Sequence, residues 1–123
     1  IGLFCHTPQV AVSRTIGRKA TMEMLLSGQM INSAKAEKIG LINKVFSSAD
    51  LDSEVEMVCA TINQKSAEVI AQGKRSFYRQ IEMGLTDAYA ATSQNMVKNL
   101  ELNDANEGIS SFLEKRQPEW TND

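Results

Sequence analysis

The chain has 123 residues, 42% of them hydrophobic and 23% charged, with two prolines, which suits one globular domain able to bury a core and excludes a disordered or low-complexity polypeptide. Thirteen basic and fifteen acidic residues give a net charge of -2. That balance supplies no general field for nucleic acid or an anionic membrane, and the sequence holds no apolar run long enough to span a bilayer. Cys5 and Cys59 cannot build a disulfide framework and read as small apolar fillers, which fits a reducing intracellular compartment better than secretion. A chain opening Ile1-Gly2-Leu3-Phe4 without methionine reads as truncated or processed, so the lack of a visible targeting segment carries little weight.

Thr7-Pro8 predicts a first helix, with the Thr7 hydroxyl as cap and Pro8 at the first helical position, ended by Gly17. Arg18 to Leu26 predicts a second, with Met22, Leu25 and Leu26 as an apolar stripe and Gly28 closing it in the left-handed conformation. Ser33 is positioned to cap a third helix through Ile39, ended by Gly40. Leu41 to Phe46 is the single strand candidate, and one strand cannot form a sheet, so its partner is expected elsewhere.

From Asp50, expected as a cap, the chain turns helical. Leu51, Val55, Val58, Cys59 and Ile62 follow helical spacing. Ser66 begins the next helix, where Ile70, Gly73, Phe77 and Ile81 share a face and Gly73 marks either a close crossing or a tolerated weak point. Tyr89, Thr92, Met96 and Leu100 continue the pattern from near Thr86. A last helix from about Asp104 to Arg116 is expected to bury Ile109, Phe112 and Leu113 and to stop at Pro118. The residues alone thus predict a mainly α chain with one short strand.

Three segments carry a family resemblance. Glu23-Met24-Leu25-Leu26-Ser27-Gly28 is followed by Ala36 and Gly40-Leu41-Ile42-Asn43-Lys44-Val45, and the chain closes on Gly108-Ile109-Ser110-Ser111-Phe112-Leu113-Glu114-Lys115-Arg116-Gln117-Pro118. Together they resemble the second half of the crotonase superfamily, the enoyl-CoA hydratases and isomerases. Ile1-Gly2-Leu3-Phe4-Cys5, Ser93-Gln94-Asn95-Met96-Val97 and Glu114-Lys115-Arg116 look most like the mitochondrial enoyl-CoA hydratase domain-containing protein 3 subgroup.

The resemblance implies the C-terminal part of a ββα superhelix, an α/β fold. Residues 1–46 would be the end of the core beside the acyl-CoA site, and residues 47–123 a helical region that assembles trimers or hexamers. It implies mitochondrial localisation, a role in fatty-acid metabolism, and an acyl-CoA thioester as substrate with no separate cofactor and no metal. Family chemistry uses two backbone amides that stabilise a thioester enolate and, in hydratases, two glutamates for general acid-base work. By the resemblance all of these precede Ile1, the second glutamate immediately, so no catalytic residue is assigned to this chain. A glutamate before Ile1 would favour hydratase or isomerase chemistry; a glycine or alanine would favour a divergent reaction or none, hence the alternative of a noncatalytic assembly module. Thr7 to Arg14 also departs from the glycine-rich turn usual in hydratases, only Arg14 keeping the pattern.

In relatives the residues matching Phe112 and Lys115 approach the adenine and phosphates of coenzyme A, often across a subunit boundary. An aromatic face can stack on a base and an ammonium can pair with phosphate. The competing reading makes Phe112 core and Lys115 a solvated partner of the helix dipole. His6 is expected at a surface or cleft edge rather than in a dyad with Cys5. Met22, Met24 and Met30 could line an acyl tail, with Met22 and Leu26 expected in the core. Lys74, Arg75 and Arg79 remain unassigned, and Glu23 and Glu37 are expected to serve helix electrostatics or pairing. A helix-turn-helix reading of Arg18 to Lys44 conflicts with the net acidity.

Overall fold

The computed structural model describes residues 2–121, and among these it contains seven helices and no strand. They are α1 (Pro8–Thr15), α2 (Arg18–Ser27), α3 (Ser33–Lys38), α4 (Leu51–Asn63), α5 (Ala67–Gln80), α6 (Leu85–Leu100) and α7 (Asn103–Glu114). The chain divides into two compact units, Ile1–Glu54 and Val55–Asp123.

In the first unit α1 packs on α2, and the shielded residues are Ile16, Thr21 and Ala36. Thr7 precedes Pro8 but does not cap with its hydroxyl. Its backbone is already helical, and the amides of Gln9 and Val10 are taken by the carbonyls of Cys5 and Thr7 at 3.1 and 3.2 Å, leaving the hydroxyl no role. Thr15 is the last residue of α1, and Ile16 turns extended before Gly17. Gly28 ends α2 as expected, at φ 60° with its N–H on the Met24 carbonyl.

The cap of α3 is Asn32 rather than Ser33, its Oδ1 accepting from the Lys35 amide at 2.8 Å. An asparagine in extended backbone reaches the third amide more readily than a serine already inside the turn. Gly40, at φ 80°, closes α3 in a Schellman turn: its N–H bonds the Glu37 carbonyl and the Leu41 N–H bonds that of Ala36.

Residues 41–46 form bends and irregular backbone instead of the expected strand. A strand needs a neighbour to take its ladder hydrogen bonds, and none of the other described residues provides one. Ahead of α4, which Asp50 directly precedes, Ser47 and Asp50 bond each other. Ser47 Oγ accepts from the Asp50 amide at 3.2 Å and donates to Asp50 Oδ2 at 2.6 Å. The carboxylate of Asp50 thereby holds the Ser47 hydroxyl in place.

In the second unit α5 packs on α6, and α6 on α7. Ser66 caps α5 as expected, accepting from the Val69 amide at 3.3 Å, and Asn95 Nδ2 on α6 donates to Ser76 Oγ on α5 at 2.9 Å. The buried residues are small or polar: Ser66, Ala88, Asp104 and Ser111. The apolar stripes exist, but this chain does not cover them. Val55, Val58 and Ile62 on α4 are about half exposed, as are Met22 and Ile109, and Leu26, Phe112 and Leu113 are more exposed still. The expected burial of Ile109, Phe112 and Leu113, and of Met22 and Leu26, is therefore not realised within the chain. Helical spacing predicts which residues share a face, but not what lies against it.

Gly73 is no close crossing, since a Cβ added there meets nothing within 4 Å. Gly73→Ala is expected to stabilise the chain by about 0.5–1 kcal/mol by relieving a mid-helix glycine. Thermal unfolding should register this as a rise of roughly 3 °C.

Candidate functional site

Phe112 lies in the last turn of α7, and Lys115 follows the helix at φ 56°, the one non-glycine in the left-handed region among the described residues. Lys115 completes a Schellman turn, its own N–H on the Phe112 carbonyl at 3.3 Å and the Arg116 N–H on the Ser111 carbonyl at 3.0 Å. Without a glycine at this position the sequence did not announce the turn, and α7 ends at Glu114, two residues before the expected Arg116. The turn fixes the Lys115 backbone directly on the residue expected to act beside it.

The Phe112 ring is 81% exposed and borders an apolar groove of about 600 Å³. Val69 and Ile70 of α5, Leu100 of α6, Ile109 and Leu113 of α7, and Trp120 border the same space. Lys65 also lines it, and Asn99 Nδ2, shielded from solvent, has no hydrogen-bond partner. Lys115 does not line the groove. Of the two residues expected to meet coenzyme A, the fold thus presents one on an open apolar surface and anchors the other, exposed, at the helix end where the dipole favours a cation and where an anionic ligand would find a donor.

Beyond α7 the chain is held by two carboxylates that sequence reasoning passed over. Asp104, 1% exposed, accepts from the Thr121 N–H at 2.7 Å and from Thr121 Oγ1 at 3.0 Å. Glu107, one turn on, takes the Arg116 guanidinium on both oxygens, with Nη2 at 2.8 Å from Oε2, and accepts from the Glu119 N–H at 2.8 Å. Arg116 also bonds Glu114 through Nε at 2.6 Å. The only hint in sequence was the i, i+3 spacing of the two acids, which is too common to be diagnostic.

The Arg116 hydrogen bonds, then that of the Glu119 amide, pull the Glu107 carboxyl from 4.5 down to about 2, and Glu107 with Glu114 pushes the guanidinium further up. A depressed carboxyl stabilises the fold above its unfolded value and loses that contribution as pH falls through its folded value. The stability contributed by the Glu107 contacts should therefore be lost between about 4.5 and about 2, with the contacts themselves released as Glu107 protonates near 2. Following the Glu119 amide resonance through an acid titration checks this; a midpoint at the ordinary carboxylate value would contradict it.

Elsewhere, Met24 and Met30 line a pocket of about 210 Å³ in the first unit, together with Glu23, Asn32 and Lys35. Met22 is not part of it. Glu23 pairs with Lys35 at 3.5 Å, joining α2 to α3. His6 and Cys5 are exposed, and the imidazole leans on the Phe4 ring at 5.3 Å between centroids. Arg75 is engaged by Glu68 at 3.0 Å, a solvated pair on one face of α5. No described helix is long and apolar enough to cross a membrane.

The family model described as enoyl-CoA hydratase/isomerase matches residues 1–123. Among curated proteins, the chain is 46% identical over 121 residues to enoyl-CoA hydratase domain-containing protein 3, mitochondrial, of Xenopus laevis, covering 98% of this chain and 41% of that protein. The protein of the same name from Homo sapiens is 43% identical over 123 residues, covering 100% of this chain and 41% of that one. A crystal structure of an enoyl-CoA hydratase from Mycobacterium smegmatis superposes with a TM-score of 0.93 at 46% identity, covering 97% of this chain and 46% of that chain. The crystal structure of human enoyl coenzyme A hydratase domain-containing protein 3 gives 0.90 at 44% identity, covering 97% and 47%. The chain thus spans less than half the length of these relatives. With the family model matched from end to end and the helices superposing on a solved hydratase, the chain belongs to the enoyl-CoA hydratase/isomerase family.

Proposed function

We propose that this chain is the C-terminal part of an acyl-CoA-handling crotonase protein of mitochondrial fatty-acid metabolism, belonging to the domain-containing protein 3 subgroup. In this reading residues 1–46 lie beside the acyl-CoA site and residues 47–123 form the helical region that assembles a trimer or hexamer. The strand expected at 41–46 forms once a neighbouring strand is present. Phe112 and Lys115 contact the coenzyme A moiety, of the same or a neighbouring subunit, and no catalytic residue lies in the chain.

One observation carries the reading. The helices of the second unit present well-formed apolar faces that the chain leaves open, as expected of a piece whose contacts lie in the rest of the protomer and in its neighbours. The chain's share of its relatives' length accords with this. A noncatalytic assembly module is the second reading; the departure of Thr7 to Arg14 from the usual glycine-rich turn accords with it and equally with a different acyl tail.

Alone, the chain is expected to self-associate in sedimentation and to hydrate crotonyl-CoA no faster than buffer. Turnover by the isolated 123 residues, or a well-behaved monomer, would overturn the assignment. Turnover by the chain completed to its relatives' length separates the enzyme from the assembly module.

A further inference from the structure

We propose that residues 116–121 form a strap, latched by Asp104 and Glu107, that sets Trp120 as a fixed aromatic wall of the α7 groove, making Asp104 a positioning residue for the ligand held there. The ligand part of this inference rests on the coenzyme A reading above.

The strap is fastened at successive points. Glu107 holds Arg116 and the Glu119 amide, and Asp104 holds both donors of Thr121. Trp120, between these anchors, donates its indole N–H to the Gln64 carbonyl at 2.7 Å, just beyond the end of α4. Its ring lies against Gly108, where an added Cβ would come within 3.4 Å of it. A short segment held on both sides of one large ring has little freedom to move that ring. Asp104 is the strongest anchor, because a carboxylate removed from water forfeits most when its donors leave.

Trp120 borders two grooves: the one with Phe112, and a second of about 450 Å³ reaching Ile62 and Lys74. The strap therefore divides one apolar surface into two compartments. Phe112 and Trp120 both line the α7 groove, so a flat heteroaromatic group such as a purine held there would have aromatic neighbours.

Trp120 is the sole tryptophan of the 123 residues, so its emission, compared between variants of equal sedimentation, reads the strap. Thr121→Val removes the hydroxyl donor at an exposed position and is expected to shift the emission to the red and raise acrylamide quenching, with helix content unchanged. Thr121→Ser keeps the donor and should retain the parent emission, while Asp104→Ala, which removes the shared acceptor, should repeat the loss. In the completed protein, Thr121→Val should weaken binding of a coenzyme A thioester several-fold. Unchanged emission in both Thr121→Val and Asp104→Ala overturns the strap, and Thr121→Val decides alone if Asp104→Ala fails to fold. Shifted emission with unchanged affinity overturns the positioning role. No binding by the unsubstituted completed protein overturns the coenzyme A reading and the positioning role with it, while the strap is still judged on emission.

Discussion

Replacing Phe112 by alanine is expected to lower the affinity of the completed protein for a coenzyme A thioester by roughly ten- to a hundredfold. An aromatic ring stacked on a base contributes about 1–3 kcal/mol, and each 1.4 kcal/mol is a factor of ten. Because the ring is 81% exposed in this chain, its removal leaves little cavity, and helix content should not change. Calorimetric titration separates the two expectations: an unchanged dissociation constant would return Phe112 to the role of an assembly contact. Tyrosine or tryptophan at the same position should retain most of the affinity, since each keeps an aromatic face.

Asp104→Ala is the substitution expected to cost most stability, about 2–3 kcal/mol, or a fall of roughly 10 °C in the unfolding midpoint. The side chain is almost fully enclosed and accepts from two donors of Thr121, so its loss leaves the Thr121 amide without that acceptor and frees the strap. It also removes an acid from the first turn of α7, where the helix dipole favours negative charge. Thermal denaturation followed by circular dichroism measures the change. A shift no larger than that of an ordinary surface substitution would show that the strap contributes little to the fold.

Much of the helical layout was legible in the residues because local chemistry sets it. Gly28 and Gly40 occupy left-handed backbone that other residues resist, and Ser66 caps α5 where its spacing placed it. Where capping was misassigned, the competing group sat close by: Asn32 beside Ser33. What stayed hidden depends on distance along the chain or on partners outside it. The burial of Asp104 needs Thr121, 17 residues later, and Trp120 finds Gln64 across 56 residues, relations that no short spacing encodes. Lys115 took the left-handed turn without the glycine that would have marked it. Ile109, Phe112 and Leu113 have the spacing of a core but no core against them, and Leu41 to Phe46 has strand composition but no neighbouring strand.

For the candidate site, the motif around Phe112 and Lys115 was readable as a resemblance, and the fold adds a groove bordered by Phe112 but not by Lys115. The strap that builds one wall of that groove was not readable, because its anchors are two ordinary acids on one helix. Gly28 and Gly40 terminate helices, and the binding proposed for this chain resides instead in Phe112 at the end of α7 and in the turn and strap that follow it.

The most direct measurement is a calorimetric titration of the completed protein with a coenzyme A thioester, run beside the Phe112→Ala variant. Saturable binding that weakens on removing the ring is the predicted result. Absence of binding by the unsubstituted completed protein would contradict the account.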